Sequence, residues 1–233
     1  MAKRKPRKPA AASAPIRKQA RASLPAELPR PDLTLWMMAG VIGVMLTRVL
    51  HEFAHWAVLR FGGVEGVHWR PTAVRFDGQA SFWAMIEANH FPGAAQTAPL
   101  TVVGWSELAG PVISVALTWL AAGLARHADL RPWMAGLGLA APLRLLAPAG
   151  FVALVVLRYM QGRPPHRQPG LDEASVELLL GIPAAFLLLV EAVVTAPAVR
   201  GIWLACDLEK QRTHAIALAA GLCFGCAVLA WIG

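Results

Sequence analysis

The chain has 233 residues, 56% hydrophobic and 15% charged, and its mean hydropathy of +0.49 excludes an ordinary soluble domain. Its formal charge of +8 does not imply a nucleic-acid partner, because the excess is confined to one end. Three cysteines, Cys206, Cys223 and Cys226, provide no disulfide framework.

Residues 1–32 hold nine basic side chains (Lys3, Arg4, Lys5, Arg7, Lys8, Arg17, Lys18, Arg21, Arg30) against Glu27 and Asp32, a net of +7, so the rest of the chain is nearly neutral. With Pro6, Pro9, Pro15, Pro25, Pro29 and a run of alanines, this tail has little apolar area to bury. It is expected to be disordered and to touch anionic lipid headgroups. No short apolar stretch ends in a small-residue cleavage site, so a cleavable signal peptide is not expected.

Five apolar stretches approach or exceed the roughly 20 residues needed to cross a bilayer as a helix: 33–61, 99–125, 136–159, 174–199 and 213–232. Pro142, Arg144 and Pro148 interrupt the third. The expected fold is therefore an all-α polytopic membrane protein with four to five transmembrane helices. The first stretch carries His51-Glu52-Phe53-Ala54-His55, an HExxH pattern. On a helix, residues four apart share a face, so both imidazoles can reach one zinc ion. Glu52, one position along, is placed to take a proton from an attacking water. Arg48 lies three residues before His51 and on nearly the same face.

Residues 62–98 are too polar to cross a membrane and too long for a tight turn, and they predict a small β-hairpin-like segment between the first two spans. Residues 67–76 are rich in extended-chain formers, Asp77-Gly78 reads as the two-residue turn, and residues 79–83 resume an alternating pattern. The segment is either a surface loop or a strand edge on which an extended substrate pairs.

The second span carries Glu107, then Ala109-Gly110-Pro111 and Val112-Ile113-Ser114. Glycine lets a neighbouring helix approach and proline frees a carbonyl, although packing alone would explain the triplet. Intramembrane charges are costly. Arg48 and Glu107 are expected to pair, or Glu107 to orient a metal-binding histidine, or one or both to line a water-filled path. Arg144, Glu177 and Glu191 read as structural pairs. Cys223 and Cys226 form a CxxC in the last apolar stretch without a polar setting, and read as structural.

Residues 161–170, with three prolines and two glycines, must end the third span. Leu171-Asp172-Glu173 then opens the fourth, where acidic residues suit a helix N-terminus. A catalytic zinc takes three protein ligands and keeps one position for water, so the two histidines need a third partner. Two further spans cross after the first, which starts the fourth on the side where the histidines lie. Asp172, tethered at a helix start, is the preferred third ligand, with Glu173, His68 and His166 as competitors.

An HExxH in a membrane helix, an Ala-Gly-Pro in the next, and a carboxylate at a later helix together resemble the site-2 protease family of intramembrane zinc metalloproteases, over about residues 49–174. The resemblance implies that His51, His55 and Asp172 bind Zn2+ and that Glu52 is the general base. The family's third motif is LDG, often with a preceding Asn-Pro element, where this chain has Leu171-Asp172-Glu173. Ser114 stands where many members have an asparagine that helps polarise the scissile carbonyl. Members commonly run the HExxH helix toward the cytoplasm, which would place the basic tail outside. Arg70, Arg75, Arg158, Arg163 and Arg167 would then be cytoplasmic. The opposite orientation places the tail, Arg126, Arg131, Arg200, Lys210 and Arg212 there, and raw counting favours it. The orientation stays open.

Residues 33–233 are thus read as a transmembrane metalloprotease-like domain of a multi-pass protein in a bacterial-type inner or plasma membrane. The expected activity is zinc-dependent hydrolysis of a peptide bond in or near a transmembrane segment of a partner protein, with Arg48, Glu107, Ser114 and Glu173 lining or supporting the site. The alternatives are a relative of this fold that binds membrane clients without cutting them, and a small transporter using His51, Glu52 and Asp172 as a polar path.

Overall fold

The computed structural model describes residues 32–146, 160 and 172–232. The basic tail, the loop at 161–170 with His166, and the later part of the stretch 136–159 lie outside the described residues.

Helix α1 (Leu33–Phe61) begins at Asp32, whose Oδ1 accepts the Leu35 N–H at 3.1 Å. Its 29 residues extend about 43 Å at the usual rise, enough to cross a bilayer. It is the central element, packed against α4 (Leu100–Leu124), α5 (Arg131–Ala140) and α8 (Arg212–Ile232). Small residues bring the backbones together. A Cβ on Gly136 of α5 would strike the Ala39 carbonyl of α1.

Among the described residues, four helices are long and apolar enough to cross a membrane: α1, α4, α7 (Ala184–Ala205) and α8. An apolar cluster near the start of α1 joins Trp36, Ala121, Ala135, Ile202, Cys206 and Leu218. Burial there pushes the Cys206 thiol up to about 11, which leaves it an inert packing group. A second cluster, near the end of α1, joins Leu59, Val64, Phe76, Phe82, Ile86 and Val103. The HExxH lies between the two.

The segment after α1 differs from its sequence reading. Strands β1 (His68–Arg70) and β2 (Ala73–Arg75) do form an antiparallel pair, with Trp69 opposite Val74, but Pro71-Thr72 makes the turn. Asp77-Gly78 instead introduces helix α2 (Gln79–Glu87), with Gly78 at φ +74° as its N-cap. The reason is apolar spacing: Phe82 and Ile86 bury into the second cluster with Trp83 and Met85 packed against it, while Ala84, which a strand would turn to the same face as Phe82 and Ile86, is exposed. Helix α3 (Phe91–Thr97) then leads into α4.

The expected span 174–199 is also corrected. It is two helices, α6 (Asp172–Leu180) and α7, broken at Gly181-Ile182-Pro183, where Gly181 takes φ +71° and Pro183 caps α7. Glu177 secures the break by accepting the Ala184 N–H at 3.0 Å, so it is a cap and not a partner of Arg144. The two helices pack on each other. Residue 172 precedes the break by about as many positions as residue 191 follows it, so Asp172, Glu173 and Glu191 stand at one level.

Candidate metal centre

Three side chains from two elements converge. His51 and His55, one turn apart on α1, bring their Nε2 atoms to 3.0 Å. Asp172 Oδ2, from the first residue of α6, lies 3.1 Å from His51 Nε2 and 3.8 Å from His55 Nε2. Both histidines are buried. Ligand atoms of a tetrahedral ion with bonds of roughly 2.0–2.1 Å stand about 3.3 Å apart, which these separations bracket. His51, His55 and Asp172 therefore form a cluster that could hold a metal ion.

The opposite nitrogens show what the cluster lacks. His55 Nδ1 donates to the Ser106 carbonyl at 2.7 Å, and Ser106 Oγ donates back to the His55 carbonyl at 3.1 Å. Ser114 Oγ donates to the Gly110 carbonyl at 3.0 Å, so toward His51 Nδ1, at 3.3 Å, it acts as an acceptor. A neutral ring making these bonds carries its proton on Nδ1, which leaves both Nε2 lone pairs facing each other and the Asp172 carboxylate. Three acceptors at such distances repel unless a cation or added protons lie among them. The donor set fits a metal ion.

Helix α4 is shaped to this purpose. Ser106, Gly110 and Ser114 are four apart and face α1, and any side chain on Gly110 would strike both imidazoles. Ser106 was not anticipated from the sequence; a small polar residue in an apolar span was its only signal.

The charged residues are arranged differently from expectation. Arg48 does not pair with Glu107; its Nη2 lies 2.6 Å from Glu52 Oε1 and donates to the Thr72 carbonyl at 2.8 Å, tying the hairpin turn to α1. Nor does Glu107 orient a histidine, since Ser106 and Ser114 hold both Nδ1 atoms. One position past Ser106, it is rotated by about 100° from the α1-facing row. Glu173 is buried and pairs with Arg144, and so is not a ligand. His68, on the exposed hairpin, lies 3.9 Å from Asp77 and away from the cluster.

Arg144, on the 3-10 turn Ala141–Leu145 after α5, meets Asp172, Glu173 and Glu191. Three carboxylates around one guanidinium leave a formal −2, which a divalent cation would balance. A cavity of about 250 Å³ opens beside His51 and Asp172, lined also by Arg48, Ser114, Arg144 and Glu173 and by Val44, Leu143 and Leu229. It has room for several waters, at about 30 Å³ each.

No family model, no curated protein and no solved structure matches the chain.

Proposed function

We propose that the protein is a membrane-embedded zinc metalloendopeptidase, similar to the site-2 proteases, that cleaves a peptide bond in or near a transmembrane segment of a partner protein. The observation that carries the reading is the pair of Nε2 lone pairs, 3.0 Å apart and both turned toward Asp172, with Glu52 on the same helix. Two nitrogens and one carboxylate oxygen suit Zn2+ and leave a fourth position open. The four long apolar helices support a place in the lipid bilayer.

When bound, zinc supplies Lewis-acid polarisation of the peptide carbonyl and lowers the pKa of water toward about 7. Glu52 accepts a proton as the water oxygen bonds to the carbonyl carbon, then returns it to the amide nitrogen as the C–N bond breaks, giving a carboxylic acid and an amine. Arg48, 2.6 Å from Glu52 Oε1, holds the Glu52 carboxylate in place. Ser106 and Ser114 hold the imidazoles in the ligating tautomer. Through Arg48 and Thr72 the hairpin sits beside the base, where the free edge of β2 would keep a substrate extended.

The test compares wild type with Glu52→Gln, each reconstituted into vesicles carrying a membrane-protein extract, and maps new N-termini by mass spectrometry. Both proteins should hold one zinc per chain, and only wild type should generate new termini within or beside apolar segments. Zinc at one equivalent with no Glu52-dependent cleavage would replace this reading with a client-binding protein, and the absence of stoichiometric zinc would favour a polar transport path.

A further inference from the structure

We propose that Arg144 is a positioning residue for the metal centre, fixing the Asp172 carboxylate where it can ligate. The assignment rests on the metal reading above, and it concerns a residue that sequence reasoning treated as a structural partner only.

The guanidinium is spent in an ordered way. Nε and Nη2 both reach Glu191, each at 2.8 Å, a bidentate grip that anchors the fork to α7. Nη2 also holds Glu173, the neighbour of Asp172. Only Nη1 is directed at Asp172, and it stops 3.4 Å from Oδ2. Charge-assisted pairs usually close to about 2.7–2.9 Å, so this contact steers the oxygen without capturing it. The same Oδ2 lies closer to His51 Nε2 than to the guanidinium.

Geometry leaves room for such steering. Asp172 is the first residue of a nine-residue helix, whereas its co-ligands sit in the second half of a 29-residue one. Packing of α6 on α4, where Gly104 lies against Leu179 and Leu180, sets the height of the short helix but leaves the Asp172 side chain at its end to be aimed. Arg144, only 16% exposed, spans this gap by reading Glu191 on one arm of the α6–α7 pair and Asp172 and Glu173 on the other. A purely structural cation would need to neutralise these carboxylates but not to place one oxygen. Lysine brings the charge without the planar fork, so it separates the two roles.

Cobalt(II) is the probe, bound to the full chain in lipid nanodiscs and followed by its visible absorption. Wild type should bind one Co2+ with the intense bands of a low-coordinate site, and His51→Ala should lose them. Arg144→Gln should bind Co2+ about 10–100-fold more weakly and with shifted bands, as removal of an orienting partner does elsewhere. Arg144→Lys should recover part of the affinity but not the spectrum. Should Arg144→Gln fail to fold, the charge-balanced pair Arg144→Gln with Glu191→Gln removes one charge of each sign and is expected to show the same weakening. Unchanged affinity and spectrum in the folded Arg144 variant, beside an intact wild type and a silent His51→Ala, would overturn the positioning role alone. A wild type that takes up no Co2+ would overturn the metal reading, and this assignment with it.

Discussion

Gly110 and His55 leave no space for another atom between them: a Cβ built on Gly110 would lie 2.5 Å from His55 Nε2 and 2.6 Å from His51 Nε2. The position is therefore set by the two rings that α4 must accommodate, as well as by helix packing. Gly110→Ala should displace at least one imidazole, lower the metal content well below one per chain, and cost about 1–3 kcal/mol of stability through overpacking. Metal analysis and thermal unfolding in detergent measure both. Full metal content in the alanine variant would show that the rings have slack which this geometry denies.

Ser114→Ala removes the acceptor of His51 Nδ1 while barely changing volume. The ring is then free to shift its proton to Nε2, where it blocks ligation. Metal affinity should fall about 10–100-fold with little change in unfolding temperature. A competition titration against a chelator is the measurement, and an affinity within twofold of wild type would rule out the tautomer role.

Metal uptake should weaken as pH falls. Two imidazoles and a carboxylate ligate only when unprotonated, so every proton bound by the free site competes with the metal. The sign is fixed: affinity is greatest at and above neutral pH and drops by about tenfold per pH unit for each ligand that has begun to protonate. Cobalt titrations at successively lower pH should show the affinity falling. An affinity that rises as the pH falls would point to ligands other than these three.

Arg48→Ala cuts the tie between the hairpin and α1 without touching a ligand. Hydrogen exchange across residues 68–75 should accelerate while metal content stays at the wild-type level. Any proteolytic rate should fall, because Glu52 loses its partner; the half-exposed Arg48 makes this a loss of aim more than of stability. Wild-type exchange in the hairpin would mean that the Thr72 contact does not restrain it.

Much of the site was legible in the sequence because its logic is local or periodic. His51 and His55 follow from helical spacing, and the Ala-Gly-Pro marked the face of α4 that meets them. Asp172 was reached by following which side each span ends on, and the structure does bring it to the histidines, but as the start of a short helix and not of a long span. The break at Gly181 and Pro183 was visible as residues and was outweighed by the apolar run around it. Asp77-Gly78 misled for a related reason: the same dipeptide serves a hairpin or a helix start, and it is the burial of Phe82 and Ile86 with Ala84 exposed between them that decides for the helix. The partners of Arg48 and Arg144 depend on contacts between distant elements, which no short pattern encodes.

The broken pair α6–α7 has a consequence for how such a protein comes into being. During synthesis α1 emerges long before Asp172, and for that interval the HExxH helix is an incomplete site whose two imidazoles lack their carboxylate. The half-helix must be threaded back beside α1, and its turn closed at Gly181, before the three donors meet. The metal cluster would thus be withheld from the nascent chain until the bundle has been assembled around it, so that completion of the fold and completion of the cluster are one event.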